Sequence, residues 1–330
     1  MRTTIKNTKV YLSPLSQEIV QSCRDLPVGF IISRRQVDHN GGYVNNWTTS
    51  TFAKDIKGSA NVPICRDHGG PGQGQDDDDG TTSFSYDVQF LDLIHIDPWL
   101  RFKQFDEAVN ETIRLLEYCS NQNSACFYEI GTEESIRAID ASQLDDMLHQ
   151  VKNRLPSVWP NVIYAVIQSG TRLCEAINTG KYNRDRLKDM ISVCRKYGLL
   201  SKEHNGDFLS GDVIAEKFAL GLDAINLAPE FGCIQTNAIL SAVGQTTIDR
   251  MFDECYRSGK WKKWVSPGFD PIQEKNKTIE ISGHYLFSTP IFQELIAKAR
   301  PRILQNLQLR LSEVITAANR YEMPTEWKTG

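Results

Sequence analysis

The chain has no stretch approaching the roughly 18 uninterrupted apolar residues of a spanning helix, and Met1-Arg-Thr-Thr-Ile-Lys-Asn-Thr-Lys9 lacks the apolar core of a signal peptide. A cytoplasmic protein is expected. Neither charge is in large excess: 37 basic and 41 acidic residues are mixed along the sequence to a net charge of -4, which argues against a nucleic-acid or membrane partner. There is no Cys-x-x-Cys pair to suggest a zinc knuckle or redox dithiol. The eight cysteines (Cys23, Cys65, Cys119, Cys126, Cys174, Cys194, Cys233, Cys255) mostly lie in apolar runs and read as reduced core residues. No internal repeat is present, and the one low-complexity run is Asp76-Asp-Asp-Asp79. Four adjacent carboxylates repel one another without a cation, so this run reads as a solvated, mobile loop before it reads as a metal site.

What the chain does have is enough length for a large core and a steady alternation of element types. Its 330 residues lie between one large α/β domain and two ordinary ones, and 40% apolar with 24% charged residues is the composition of a globular protein. Short apolar runs that read as buried strands recur at Lys9 to Ser13, Val28 to Ser33, Val62 to Asp67, Leu91 to Asp97, Ala125 to Gly131, Asn161 to Gln168, Leu199 to His204 and Asp223 to Leu227. Helical patterns separate them, among them Gln17 to Cys23, Thr48 to Lys57, Phe105 to Tyr118, Ser142 to Leu155, Arg184 to Tyr197 and Ser210 to Leu220. Eight βα units in about 240 residues is the size of one (β/α)8 TIM barrel, although an open doubly wound sheet gives the same local signal. After Ser241 the sequence turns helical and polar-aromatic, with Trp261, Trp264, a long loop from Pro267 to Lys277 and a charged helix from Pro290 to Tyr321. Residues 1–245 are therefore expected to form the barrel, and residues 246–330 a C-terminal helical extension packed on it.

The chemistry concentrates where strands end. Val62-Pro-Ile-Cys-Arg-Asp-His-Gly-Gly-Pro-Gly-Gln-Gly74 reads as a buried strand that delivers an acid and an imidazole to a Gly/Pro loop able to approach a ligand closely. Further strand ends carry His95 and Asp97, Glu129 and Glu133, Gln168, His204 with Asn205 and Asp207, and Asn226. A lone histidine at such a place commonly holds structure, and a lone aspartate commonly caps the next helix. Several imidazoles and carboxylates gathered at one barrel mouth instead suit Zn²⁺ or another divalent transition metal.

These residues resemble the tagatose-bisphosphate aldolase accessory-subunit (KbaZ/GatZ-like) group of the class II aldolase superfamily. The resemblance spans about residues 9 to 245 and runs through Gln36-Val-Asp-His-Asn-Gly-Gly-Tyr43, Asp67-His68-Gly-Gly-Pro71, Ile94-His-Ile-Asp97, Ile130-Gly-Thr-Glu133, Val166-Ile-Gln-Ser-Gly170, Glu203-His204-Asn-Gly-Asp207 and Asp223 to Pro229. It implies a divalent metal, zinc first among the choices, that polarises a ketose carbonyl while carboxylates move protons. His68 and His204 then become metal ligands, with Glu129 a carboxylate at the metal. Asp67 handles the hydroxyl proton, and Glu133 is the catalytic acid.

The departures are specific. Gln168 stands where catalytic class II aldolases have another histidine ligand; His95 either supplies the missing nitrogen or is structural, held by a carboxylate. Asn205-Gly206-Asp207 replaces a phosphate-cradling Gly-Gly-Ser type of loop, and a carboxylate at Asp207 would repel a phosphate. Arg34 and Arg66 could bind a substrate phosphate or carboxylate, or serve as ordinary salt-bridging arginines. The expected substrate-contacting set is Gln36, Arg34, Arg66, Asp97, Gln168, Asn205, Asp207 and Asn226. Three functions compete: a metal-dependent lyase acting on a phosphorylated or carboxylated sugar, a non-catalytic partner that stabilises an aldolase subunit, and a metal-dependent sugar epimerase or isomerase. The sequence leaves open whether the chain works alone, as a homo-oligomer or with a partner aldolase subunit.

Overall fold

Each of the eight apolar runs forms a strand in a computed structural model of the protein, which describes residues 1–59 and 62–320. The strands are β1 (Val10–Leu12), β2 (Val28–Ser33), β3 (Ile64–Gly69), β4 (Leu93–Ile96), β5 (Phe127–Ile130), β6 (Val162–Ile167), β7 (Leu200–Glu203) and β8 (Ala224–Leu227). All neighbours pair in parallel in the order β1-β8-β7-β6-β5-β4-β3-β2. Val10 beside Ile225 and Leu12 beside Leu227 close the ring. Closure removes the free edges that an open doubly wound sheet would leave, and decides between the two arrangements in favour of the TIM barrel.

Strand parity sorts side chains between two cores. Tyr11, Ile31, Cys65, Leu93, Tyr164 and Ala224 pack together inside the ring, whereas Phe30, Ile32, Ile64, Ile94 and Tyr128 join the larger core under the helices. Arg66 follows the parity of Ile64 and faces outward, away from the barrel mouth. It is fully buried. Its guanidinium donates to both Asp87 oxygens at 2.8 and 2.6 Å, to the carbonyls of Ile32 (2.9 Å) and Val37 (2.7 Å), and to Thr49 Oγ1 (3.2 Å). Every donor of the fork is engaged in tying β2 to the helices Thr49–Ser59 and Thr81–Phe90.

Arg34 is likewise structural. It donates to Asp38 (2.9 Å), to the Gly70 carbonyl (2.9 Å) and to both oxygens of Asp78 (2.6 Å each). The acidic run is thus not a wholly solvated loop. Asp78 is clamped by Arg34, and Asp79 accepts from the backbone and hydroxyl of Thr81 at the start of the helix Thr81–Phe90.

Most expected helices lie within a few residues of their predicted bounds. Thr81–Phe90 escaped prediction because Thr-Thr-Ser-Phe-Ser-Tyr is a run of poor helix formers. The predicted loop at Pro267 to Lys277 gives way to a helix at Lys275–Ser282. The long helix Pro290–Asn319 packs against the helices Gln17–Cys23, Gly211–Ala219 and Pro229–Leu240; its predicted end at Tyr321 lies outside the described residues. Between barrel and long helix, the segment from Gln245–Ser258 onward sends Lys263, Trp264, His284 and Tyr285 over the carboxyl ends of the strands. Among the described residues, no helix is long and apolar enough to cross a membrane.

Replacing Arg66 by Met leaves Asp87 buried without its partner and should cost roughly 3–5 kcal/mol in urea unfolding. Arg101→Ala, which breaks an exposed pair with Asp77, should change stability by less than about 1 kcal/mol. Equal losses in the two variants would contradict the structural role of Arg66.

Candidate metal centre at the barrel mouth

Successive residues of a regular strand point to opposite faces, yet Asp67 and His68 both line the cavity at the mouth. Two local departures achieve this. The register of β3 against β4 shifts between Arg66 and Gly69, and His68 adopts the left-handed region at φ 48°. A non-glycine residue there costs about 1–3 kcal/mol and persists only when its surroundings hold it. Here the His68 backbone N–H donates to His95 Nδ1 at 3.2 Å, and His95 Nε2 lies 3.0 Å from the Gly131 carbonyl. Because Nδ1 accepts, the proton of His95 belongs on Nε2, where it is donated to Gly131. Burial lowers the pKa of His95 to about 4, keeping this bridge neutral. The neighbouring glycine is needed for packing rather than for ligand approach: a Cβ on Gly69 would lie 2.6 Å from the Phe84 ring and 2.7 Å from the His95 carbonyl oxygen.

His68 and His204 each have one ring nitrogen held by a carboxylate and the other turned to the mouth. His68 Nδ1 meets Asp97 Oδ2 at 2.6 Å, and His204 Nε2 meets Glu129 Oε1 at 2.7 Å. The remaining nitrogens, His68 Nε2 and His204 Nδ1, are 3.4 Å apart. Two nitrogens bound to zinc at tetrahedral angles are separated by about 3.3 Å, given Zn–N bonds of about 2.0–2.1 Å. Around this pair, Asp67 Oδ1 lies 3.6 Å from His204 Nδ1 and 3.8 Å from His68 Nε2, while Glu133 Oε2 lies 3.7 Å from His68 Nε2. The donor set fits a divalent ion. Burial opposes a charge on His68, but Asp67, the bond to Asp97 and Glu133 outweigh it and raise its pKa to about 10. The surroundings therefore favour positive charge at this spot.

His68, His95 and His204 form one cluster, with a nitrogen from each lying within 4.8 Å of the others. The roles within it differ. Both nitrogens of His95 are occupied by backbone groups, whereas His68 and His204 each turn one nitrogen to the other across the mouth. Glu129, expected at the metal, stands one step back. Its second oxygen takes the buried ammonium of Lys202 at 2.7 Å, and that ammonium also lies 4.0 Å from the centre of the Tyr11 ring. Burial disfavours ionisation of Glu129, but Lys202 and then His204 hold it far below the usual carboxylate range. Lys202 went unrecognised as part of the site, although a lysine two residues before His204 shares its inward parity.

The other expected residues divide. Asn205 Nδ2 donates to Glu133 Oε2 at 2.9 Å, and Asn226 Nδ2 reaches Asp67 Oδ1 at 3.4 Å. Gln36 lines the cavity and is fixed by the Ser33 backbone and the Ser13 hydroxyl. Gln168 is not brought to the centre. It accepts from the Ile139 backbone and Arg186, donates to the Thr132 and Arg137 carbonyls, and so braces the loop after β5. Asp207 lies in the cavity wall, but one of its oxygens accepts from the Ala228 and Glu230 backbones at 2.8 and 2.9 Å, capping the helix Pro229–Leu240.

The cavity measures about 300 Å³, the low end for a small-molecule site. Its outer wall is aromatic. Tyr43 packs against Tyr285 with ring centres 4.9 Å apart, and Trp264 Nε1 donates to the Tyr285 hydroxyl at 3.1 Å. A hairpin of Leu173–Cys174 and Ile177–Asn178 braces this wall: the Glu175 backbone donates to the Trp264 carbonyl at 2.7 Å, and its carboxylate takes the Ser266 backbone at 3.1 Å. The C-terminal segment was expected to pack on the barrel, and its part in the cavity had one sequence signal, the aromatic-basic run Lys260-Trp-Lys-Lys-Trp264.

No family model matches the sequence, and no curated protein matches it. Solved structures share its fold. A probable tagatose 6 phosphate kinase from Sinorhizobium meliloti 1021 superposes with a TM-score of 0.75 at 15% identity, over 94% of this chain and all of that one. Fructuronate-tagaturonate epimerase from Cohnella laeviribosi gives 0.66 at 9% identity, over 95% of this chain and 81% of its own. Fructose-bisphosphate aldolase from Campylobacter jejuni gives 0.57 at 10%, over 94% and 91%. The shared fold is the TIM barrel. At these identities the likeness is one of fold, and it does not single out the accessory-subunit group.

His284, in the cavity wall, is buried, and burial followed by the charge of Lys263 lowers its pKa to about 3. Below about pH 6.5 the unfolded chain takes up a proton here that the folded chain refuses, so this contribution to stability is lost as pH falls from 6.5 towards 3. Melting temperatures of wild type and His284→Asn from pH 8 to 4 check this. The wild type should fall more steeply below pH 6.5, and parallel curves would contradict it.

Proposed function

We propose that this protein is a metal-dependent sugar lyase of the class II aldolase type. The observation that carries the reading is the pair His68 Nε2 and His204 Nδ1, 3.4 Å apart, each backed by a carboxylate and flanked by Asp67 and Glu133. His68 and His204 would hold the ion with carboxylate oxygen completing its surroundings, and Asp97 and Glu129 would orient the rings. When bound, the ion would supply electrophilic stabilisation to charge developing on a ketose carbonyl oxygen.

The remaining steps belong to the protein's own groups. Asp67, oriented by Asn226, takes the proton of the substrate hydroxyl adjacent to the bond that breaks. That oxygen becomes an aldehyde, and the electrons of the broken C–C bond pass to the ketone fragment as an enediolate. Glu133, oriented by Asn205, then delivers a proton to the carbon. Tyr43, Trp264 and Tyr285 exclude water from one side and offer faces suited to a sugar ring or chain.

An epimerase is the second reading. The same carboxylates can exchange a proton at a carbon beside the carbonyl without breaking a C–C bond, and the likeness to the Cohnella laeviribosi epimerase extends over 95% of this chain. A non-catalytic partner subunit would have little need for two imidazoles and two carboxylates held around one point.

Elemental analysis and zinc competition titrations should find one divalent ion per chain. His68→Ala and His204→Ala should abolish its uptake, and Asp97→Asn should weaken it by about 10–100-fold. Incubation with ketose phosphates and keto-sugar acids in D₂O, followed by NMR, separates the reactions: a shorter aldehyde marks the lyase, and a deuterated epimer the epimerase. A wild-type protein that takes up no divalent ion under any condition would sink both readings. Full metal occupancy without turnover, together with copurification of an aldolase chain, would establish the accessory role.

A further inference from the structure

TIM-barrel enzymes frequently hold a substrate phosphate with the loops after the seventh and eighth strands and the N-terminus of a nearby helix. In this protein that position is filled by its own side chains. Asp207, within the loop after β7, accepts from the backbones of Ala228 and Glu230, and Glu230 accepts from the Phe208 backbone at 2.8 Å while paired with Arg310 at 2.7 Å. Two carboxyl groups thus occupy the N–H donors an anion would use.

Uncommitted positive charge lies elsewhere on the same mouth. Arg35 lies within the turn after β2, is exposed, lines the cavity, and donates from Nε to the Gly74 carbonyl at 3.1 Å. Lys263, lining the cavity, comes from the C-terminal segment, with its ammonium laid against the aromatic wall, 4.5 Å from the Trp264 ring centre and 5.2 Å from that of Tyr285. Lys260 stands close by, 6.0 Å from the Tyr285 ring. Among the described residues, none of the three makes an ion pair within 4.0 Å. The field of Glu133 reaches Lys263 without contact, and desolvation followed by repulsion from Arg35 and Lys260 lowers the Lys263 pKa to about 8. Cations brought together without a carboxylate partner repel one another until an anion joins them.

We propose that Arg35 and Lys263 form the subsite for an oxyanion, phosphate or carboxylate, at the end of the substrate remote from the histidines. This rests on the reading of the mouth as a metal-dependent sugar site, and it gives the C-terminal segment a direct part in choosing the substrate. The guanidinium can engage two oxygens with its remaining donors, and the ammonium supplies a compact second charge. A neutral sugar would leave both cations uncompensated, so the preferred substrate is a sugar monophosphate or sugar acid bound in one orientation, with its carbonyl towards His68 and His204.

Calorimetric titration of the chelator-treated full-length protein with inorganic phosphate and with D-gluconate tests the subsite apart from the metal. Saturable binding of at least one anion is expected. Arg35→Gln and Lys263→Met should each weaken it by at least about tenfold, and Lys263→Arg should retain most of it. Lys262→Met, exposed and outside the cavity, should bind as wild type, with circular dichroism and melting curves checking that every variant folds. Preference for phosphate identifies a sugar phosphate as substrate, and preference for gluconate a sugar acid. The subsite is overturned if neither anion binds, if binding survives in both Arg35→Gln and Lys263→Met, or if chelation abolishes it. The metal reading fails separately, through the absence of metal uptake, and would leave these anion titrations unchanged.

Discussion

One strained residue governs the mouth of this barrel. His68 holds a left-handed backbone because its N–H is taken by His95 Nδ1, and His95 is in turn anchored on the Gly131 carbonyl. Without that bridge the strand would continue its alternation, and Asp67 and His68 would diverge to opposite faces. With it, an acid and an imidazole adjacent in sequence face the same cavity. Neutrality of His95 is part of the constraint, since a protonated Nδ1 could not accept the His68 N–H.

Beneath the mouth, charge continues into the barrel in an ordered column. Lys202 pairs with Glu129, Glu129 with His204, and His204 faces His68, whose far side meets Asp97. A buried ammonium in an apolar barrel is costly unless paired. Here Glu129 compensates it, while the Tyr11 ring lies beneath it. The arrangement fixes which nitrogen of each outer histidine faces the cavity, which is the property a metal site most needs from its surroundings.

Much of this was legible in the residues. The eight strands were readable because each is a short apolar run, and the strand-end acids and imidazoles because barrels present such positions to one face. Parity alone could have removed Arg66 from the mouth, since it alternates with Cys65 and Asp67 and must face the helices. The bulge that lets His68 break the same parity has no comparable local mark, and only the pairing of β3 with β4 reveals it. Gln168 looked like a substituted ligand, yet it serves the loop after β5 through partners up to 36 residues away. Arg35, Lys263, Trp264 and Tyr285 meet through packing of the C-terminal segment, which no periodicity encodes.

The proposed chemistry turns on where a divalent ion would sit. Anomalous diffraction at the zinc edge from crystals of the zinc-loaded protein measures this directly. One peak is expected about 2.0–2.1 Å from both His68 Nε2 and His204 Nδ1, with His95 still bonded to the Gly131 carbonyl. A peak coordinated by His95 in place of either histidine, or zinc bound only outside the barrel mouth, would contradict it.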